Sequence, residues 1–194
     1  AQNLTPVVLE LGGKDPALVC KGADLQRAAA GIVCGAFVNS GQTCASVERV
    51  YVEKEVKDAF LAKVLEETRG LRRAGEERGG EIGPLTRERQ RRTVEEHVAD
   101  ALKGGARVIL GGKRHQRGGN FYEPTILVDV TSKMMIAREE TFGPVAPLFR
   151  FKTEDDVIAM ANDTPFGLAA YFYARDVGRV WRIADGEATL IATT

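Results

Sequence analysis

DLQRAAAGIVCGAFVNSGQTC, residues Asp24–Cys44, followed by RVYVE, Arg49–Glu53, sets a capped apolar run, a glycine-containing break and an alternating segment in succession. Asp24 is a residue type whose side-chain oxygen accepts from the free N–H groups of a first helical turn. It precedes an apolar run, Leu25–Val38, that reads as a helix. The helix must stop at Asn39-Ser40-Gly41, because small polar residues and glycine break its pattern. RVYVE then alternates apolar and polar residues, the two-residue period of a strand, and KDAFLAKVLEETRG continues as an amphipathic helix closed by Gly70. Helix, strand, helix is the rhythm of an alternating α/β chain.

The same rhythm extends outward. On the N-terminal side, VVLEL (Val7–Leu11) and PALVC (Pro16–Cys20) read as short strands separated by GGKD, a turn whose residues tolerate positive φ. On the C-terminal side, LRRAGEERGGEIGPL is a glycine-rich charged loop, and a helix is predicted from about Thr86 to Lys103, ended by Gly104-Gly105. ARVILGG, PTILVDV and APLFRF read as strands, and TEDDVIAMAND as a capped helix. PFGLAAYFYARD reads as a strand, VGRVWRIADG as a helix and ATLIATT as a final strand. Alternation of this kind predicts a three-layer α/β/α sandwich with a mostly parallel sheet, formed as a single domain over residues 1–194.

Composition narrows the function. At 194 residues the chain is long enough to bury a sizeable core, and 44% apolar with 28% charged residues is ordinary for a globular domain. No apolar run approaches the length that spans a bilayer, and the N-terminal residues read as a strand and not as a signal peptide, so a cytoplasmic protein without membrane partners is expected. The 27 basic and 27 acidic side chains cancel, which leaves no field to gather nucleic acid. The densest basic stretch, Arg87–Glu96, interleaves Arg and Glu at helical spacing, the mark of a solvated helix face. Cys20, Cys34 and Cys44 fit neither a disulfide framework nor a zinc site, and no metal is expected.

Each thiol is therefore either core filler or chemistry. Cys34 lies inside an apolar helix and Cys20 at a strand end, so both read as small buried hydrophobes. Cys44 follows NSGQT, which offers no apolar pattern to bury it, and stands open between a buried thiol and a nucleophile. Glu10, a charge in an otherwise apolar strand, must be paired, at a strand end or facing a polar cavity. A carboxylate near a thiol-bound acyl group can take a proton from the water that hydrolyses it, although an alternating half-exposed strand position explains Glu10 as well. Glu139-Glu140-Thr141-Phe142-Gly143-Pro144 joins two acids, an aromatic ring and a Gly-Pro turn. It reads by default as an exposed acidic turn, and alternatively as a binder of ribose hydroxyls.

LELGGK (Leu9–Lys14), NSGQTC (Asn39–Cys44), EETFGPV (Glu139–Val145) and FGLAA (Phe166–Ala170), taken in that order, resemble the aldehyde dehydrogenase superfamily over essentially the whole chain. GGKRHQRGGNFYEPTIL and AYFYARD resemble its succinate-semialdehyde dehydrogenase branch. The resemblance implies that Cys44 attacks an aldehyde to give a thiohemiacetal, that hydride passes to NAD or NADP, and that water activated by Glu10 hydrolyses the thioester. It implies that Gly12, Glu140 and Phe142 belong to the cofactor site. Asn39, Gly41, Gln42 and Thr43 would shape the nucleophile loop, with the Cys44 N–H in an oxyanion hole. Two departures stand out: Val38 occupies the place of a carboxylate-binding Arg in that branch, and Ser46 that of a redox-partner Cys.

Family members place a dinucleotide-binding domain before LELGGK and a further segment after the last strand, so the resemblance implies a catalytic domain truncated at both ends. Weak or no dehydrogenase activity and poor cofactor binding are then expected of this chain alone, since one carboxylate and one Phe do not position a dinucleotide. Three readings follow: a catalytic domain that oxidises aldehydes when a cofactor domain is supplied, a thiol carboxylesterase needing no cofactor, and an inactive association module. An exposed apolar interface predicts a homo-oligomer.

Overall fold

The computed structural model describes residues 6, 8–71 and 82–186. Six strands form one sheet: β1 (Asp15–Val19), β2 (Val47–Glu53), β3 (Arg107–Leu110), β4 (Thr125–Val128), β5 (Val145–Phe151) and β6 (Tyr171–Tyr173), in the spatial order β3-β4-β5-β2-β1-β6. All neighbours are parallel except β3 and β4, which pair antiparallel at the edge. Among the described residues six α-helices accompany them: α1 (Leu25–Phe37), α2 (Lys57–Gly70), α3 (Glu88–Lys103), α4 (Met135–Arg138), α5 (Glu154–Asn162) and α6 (Val177–Gly186).

Strand alternation sorts the core into two layers. Ala17 and Val19 of β1 pack with Ala28, Ile32 and Phe37 of α1 and Phe60 and Val64 of α2. Leu18 and the neighbouring Cys20 face the opposite side, with Val94 and Val98 of α3, Val157 of α5 and Ile183 of α6. Successive side chains of a strand point to opposite faces, so both faces of β1 are covered, as a buried parallel sheet requires. The sandwich expected from sequence is the one observed. Asp24 caps α1 by accepting from the N–H groups of Gln26 and Arg27, and Thr153 caps α5 through Asp156. Glu88 pairs with Arg92 across one turn of α3, and Glu95 with Arg91, as the alternating charges suggested.

Five expectations need correction or fall outside the described residues. Residues 8–11 form no strand: Val8 is 93% exposed, and Gly12, at φ 76°, turns the chain before β1. The apolar residues that predict a short strand, Val8, Leu9 and Leu11, are exposed and pair with no strand among the described residues. The α3 helix begins at Glu88, not Thr86, because Thr86 is held by Gln42. Cys34 is exposed, not core, since it lies on the side of α1 away from the buried row Ala28, Ala29, Ile32, Val33 and Ala36. Glycine-rich residues 72–81 and the final strand ATLIATT lie outside the described residues. No described helix is long and apolar enough to cross a membrane.

Candidate active site

Each of the four motifs precedes a parallel strand: LELGGK leads into β1, NSGQTC into β2, EETFGPV into β5 and FGLAA into β6. In the order β5-β2-β1-β6 these strands are immediate neighbours, so parallel pairing brings all four loops to one edge of the sheet, at the strands' N-terminal ends.

Gly13 is where the loops meet. Its N–H donates to Glu140 Oε1 at 2.9 Å, and a Cβ on Gly13 would lie 2.0 Å from the Cys44 carbonyl oxygen. Only glycine lets the LELGGK backbone pass this close to the thiol-bearing residue. A second close approach joins the Cys44 loop to the EETFGP loop, where a Cβ on Gly41 (φ 72°) would lie 2.2 Å from the Gly143 carbonyl oxygen.

The loop that carries Cys44 is tightly built. Asn39 and Ser40 take left-handed φ values of 50° and 59°, which end α1 and turn the chain toward the sheet edge. Asn39 Nδ2 donates to the Gln42 carbonyl, and Gln42 Nε2 donates back to the Asn39 carbonyl, each at 3.0 Å. Gln42 Oε1 accepts from the N–H and the hydroxyl of Thr86, both at 2.8 Å. Ser40 Oγ donates to the Gly83 carbonyl and accepts from its N–H. On the far side Tyr171 Oη donates to the Ala45 carbonyl at 2.9 Å. Thr43 Oγ1 is buried without a partner among the described residues. Cys44 itself is exposed.

A buried ionic network shapes the EETFGP loop. Glu48, on β2, accepts from Lys14 Nζ at 2.6 Å, from the Thr141 N–H at 2.8 Å and from the Phe142 N–H at 2.7 Å. These bonds hold Phe142 at φ 46° with Glu140 beside it. Lys14 also donates to Thr141 Oγ1, which lies 3.1 Å from His97 Nδ1, and Gln90 Nε2 donates to the Thr141 carbonyl. Burial lowers the Lys14 pKa although its partner Glu48 acts to raise it. His97 is lowered by burial and by the Lys14 charge, which favours a neutral ring. Glu140, half-buried, is raised by burial against the Gly13 N–H that favours its charged form. Beneath them Arg49 donates from Nε to the Lys14 carbonyl and from Nη2 to that of Ala161, both at 2.7 Å, fastening the strand edge to α5.

Sequence reasoning singled out Cys44, Asn39, Gly41, Gln42, Thr43, Gly12, Glu140 and Phe142, and the structure brings the loops that carry them together. Glu10 lies in the exposed segment before Gly12, and no hydrogen bond or ion pair ties it to another described residue. Lys14, Glu48, Thr141, His97 and Asp15 escaped notice. The signal available is Glu48 itself, an acid in a strand whose other residues are mostly apolar, and it lies outside RVYVE because β2 begins two residues earlier, at Val47. No group of three or more His, Cys, Asp or Glu among the described residues is arranged to hold a metal ion.

An exposed thiol and two carboxylate-bearing loops thus meet at one edge of a mostly parallel α/β sheet. The chain belongs to the aldehyde dehydrogenase family, whose family model matches residues 1–188. It is 53% identical over 186 residues to the NADP-dependent succinate-semialdehyde dehydrogenase of Escherichia coli, covering 95% of this chain and 39% of that protein. Among solved structures it resembles the succinate-semialdehyde dehydrogenase of Burkholderia pseudomallei, with TM-score 0.91 and 46% identity over 95% of this chain and 39% of that one. It also resembles the lactaldehyde dehydrogenase of Escherichia coli, with TM-score 0.92 and 39% identity over 98% of this chain and 41% of that one. The chain thus spans about two fifths of the length of these relatives.

Proposed function

We propose that this chain is the catalytic domain of an NAD(P)-dependent aldehyde dehydrogenase in which Cys44 is the nucleophile and Glu10 the general base. The observation that carries the reading is the passage of Gly13 between the Cys44 carbonyl and the Glu140 carboxylate, which joins three of the four motifs within one residue.

In this reading the Cys44 thiolate attacks the aldehyde carbon to form a thiohemiacetal, with the Cys44 N–H stabilising the developing oxyanion and the loop of Asn39, Gly41, Gln42 and Thr43 holding the thiol in place. The residues present fit the nicotinamide-ribose end of a dinucleotide and offer nothing for its remainder among the described residues. A Cβ at Gly12 would come 3.0 and 3.1 Å from the two Glu140 oxygens, so the absence of a side chain there keeps the carboxylate open, and only Oε1 is committed to Gly13. Glu140 and Phe142 would hold the ribose and ring, and the bound group supplies a hydride acceptor. Glu10 then takes a proton from the water that attacks the Cys44 thioester, releasing the acid and restoring the thiol. Val38, exposed beside Asn39, offers no charge to a substrate carboxylate, and we read the substrate as an aldehyde without one.

A second reading is favoured by how Cys44 is held: the bonds from Thr86, Gly83 and Tyr171, and the Gly13 contact, all arise within the described residues. An activated ester needs no hydride step, because thiolate attack expels the alkoxide directly. We expect p-nitrophenyl acetate turnover without NAD, a Cys44-bound acyl group by mass spectrometry, and loss of both in Cys44→Ala. Turnover that persists in that variant overturns the nucleophile assignment, while NADH formation from an aldehyde by this chain alone favours the dehydrogenase reading over the esterase one. Exposed Leu9, Leu11 and Val38 lead us to expect self-association, which a monomer by light scattering would refute.

A further inference from the structure

Asp15 is the first residue of β1 and is 2% exposed. One carboxyl oxygen, Oδ1, accepts from the Ala169 N–H at 3.0 Å; the other, Oδ2, is buried without a hydrogen-bond partner among the described residues. Oδ2 lies 3.4 Å from the position a Gly13 Cβ would take, on the side of Gly13 that meets the Cys44 carbonyl. Two residues beyond Ala169, Tyr171 donates to the carbonyl of Ala45, the residue after Cys44. The Asp15 carboxyl group therefore sits beneath both contacts that hold the Cys44–Ala45 backbone, touching one through Gly13 and the other through the Ala169–Tyr171 segment. A cavity of about 160 Å³ lined by Asp15, Arg49 and residues 164–170 adjoins it.

We propose that Asp15 is a positioning residue for Cys44, acting through Gly13 and Tyr171, and that it does so in its protonated form. The inference rests on Cys44 being the reactive thiol. A buried carboxylate oxygen with no donor is costly, and a proton on Oδ2 removes the charge without disturbing the Ala169 bond at Oδ1. The surrounding groups agree. Arg49, on β2, favours ionisation of Asp15, but four of its N–H groups are given to the carbonyls of Lys14, Met160 and Ala161 and to Tyr51, and none is given to Asp15 among the described residues. Glu48 on β2 and Glu140 on the β5 loop oppose ionisation, Lys14 is committed to Glu48, and Tyr171 on β6 is raised partly by Asp15. Burial is the largest influence and brings the Asp15 pKa to about 7. Above that pH, the ionised group would face Gly13 uncompensated and shift the backbone on which Cys44 rests.

The test is the pH profile of Cys44 alkylation by iodoacetamide in a Cys34→Ser background, since Cys34 is also exposed. Asp15→Asn keeps a neutral group of the same shape. We expect it to match the parent protein below the Asp15 midpoint of about 7 and to depart from it above, by about threefold, with an inflection near the midpoint in the parent alone. Asp15→Ala, which loses the Ala169 bond, should differ at every pH. Tyr171→Phe, which removes only the bond to Ala45, should shrink the inflection even if both Asp15 variants fold poorly. A carboxylic-acid C=O band that disappears between mildly acidic and mildly alkaline solution, and is absent from Asp15→Asn, reports the proton directly. Superimposable profiles for the parent and Tyr171→Phe, or for the parent and folded Asp15→Asn, overturn the proposal. Alkylation does not depend on catalysis, so Asp15-dependent labelling without ester turnover would refute the esterase reading above and leave this inference standing.

Discussion

The two carboxylate-bearing segments that flank Cys44 are held in opposite ways. The Glu139–Gly143 loop is fixed from within by a buried carboxylate, Glu48, which takes two of its backbone N–H groups and a lysine. The segment carrying Glu10 is exposed from Val8 to Leu11 and, among the described residues, is fastened where Gly13 enters the site. The difference fits the chemistry proposed for each. A group that must meet a rigid ring gains from preorganisation, whereas a base that must reach water needs access more than a fixed rotamer.

The largest effect expected is at the buried end of this contrast. Glu48→Ala strips the fully buried Lys14 of its partner and leaves two N–H groups unsatisfied, and should cost about 3–5 kcal/mol in urea unfolding. A loss under about 1 kcal/mol would show that the loop is not held from within. Gly13→Ala forces the backbone away from the Cys44 carbonyl and should cost about 1–3 kcal/mol, with slower Cys44 alkylation as the second readout.

The third prediction concerns pH. The Asp15 pKa is raised from 3.8 to about 7, so between those values the folded state binds more protons than the unfolded chain and stability falls as pH rises through that window. His97, whose pKa is lowered, pulls the other way as pH rises toward its ordinary value. The difference between parent and Asp15→Asn isolates Asp15: the parent should lose stability relative to the variant between about pH 4 and pH 7 and hold a constant difference above, read from urea midpoints. The smallest effect on stability belongs to Glu10→Gln, which should stay within about 0.5 kcal/mol of the parent. The same variant should slow ester turnover by roughly 100-fold while the first acylation burst survives. A Glu10→Gln variant that unfolds would erase the contrast between the two segments.

Much of the fold was legible. The α1 and α2 boundaries, the Asp24 and Thr153 caps and the alternation of strands and helices follow from local rules that the chain obeys. The misread elements share a cause. Val8, Leu9, Leu11 and Cys34 are apolar residues that the described structure leaves exposed, and a pattern of hydrophobicity cannot tell a buried surface from one presented outward. The supporting network was illegible for a different reason. Lys14, Glu48 and His97 are ordinary charged or polar residues in sequence, separated by 34 positions or more, and only burial together makes them a unit.

Which loops hold the thiol, the carboxylates and the glycines could be read from the sequence residue by residue, as could the strands that follow them. The sequence did not determine that these loops meet. That was decided by the order β5-β2-β1-β6: parallel neighbours start at the same edge of a sheet, so residues more than 100 positions apart, such as Gly13 and Glu140, come within a hydrogen bond only when their strands do.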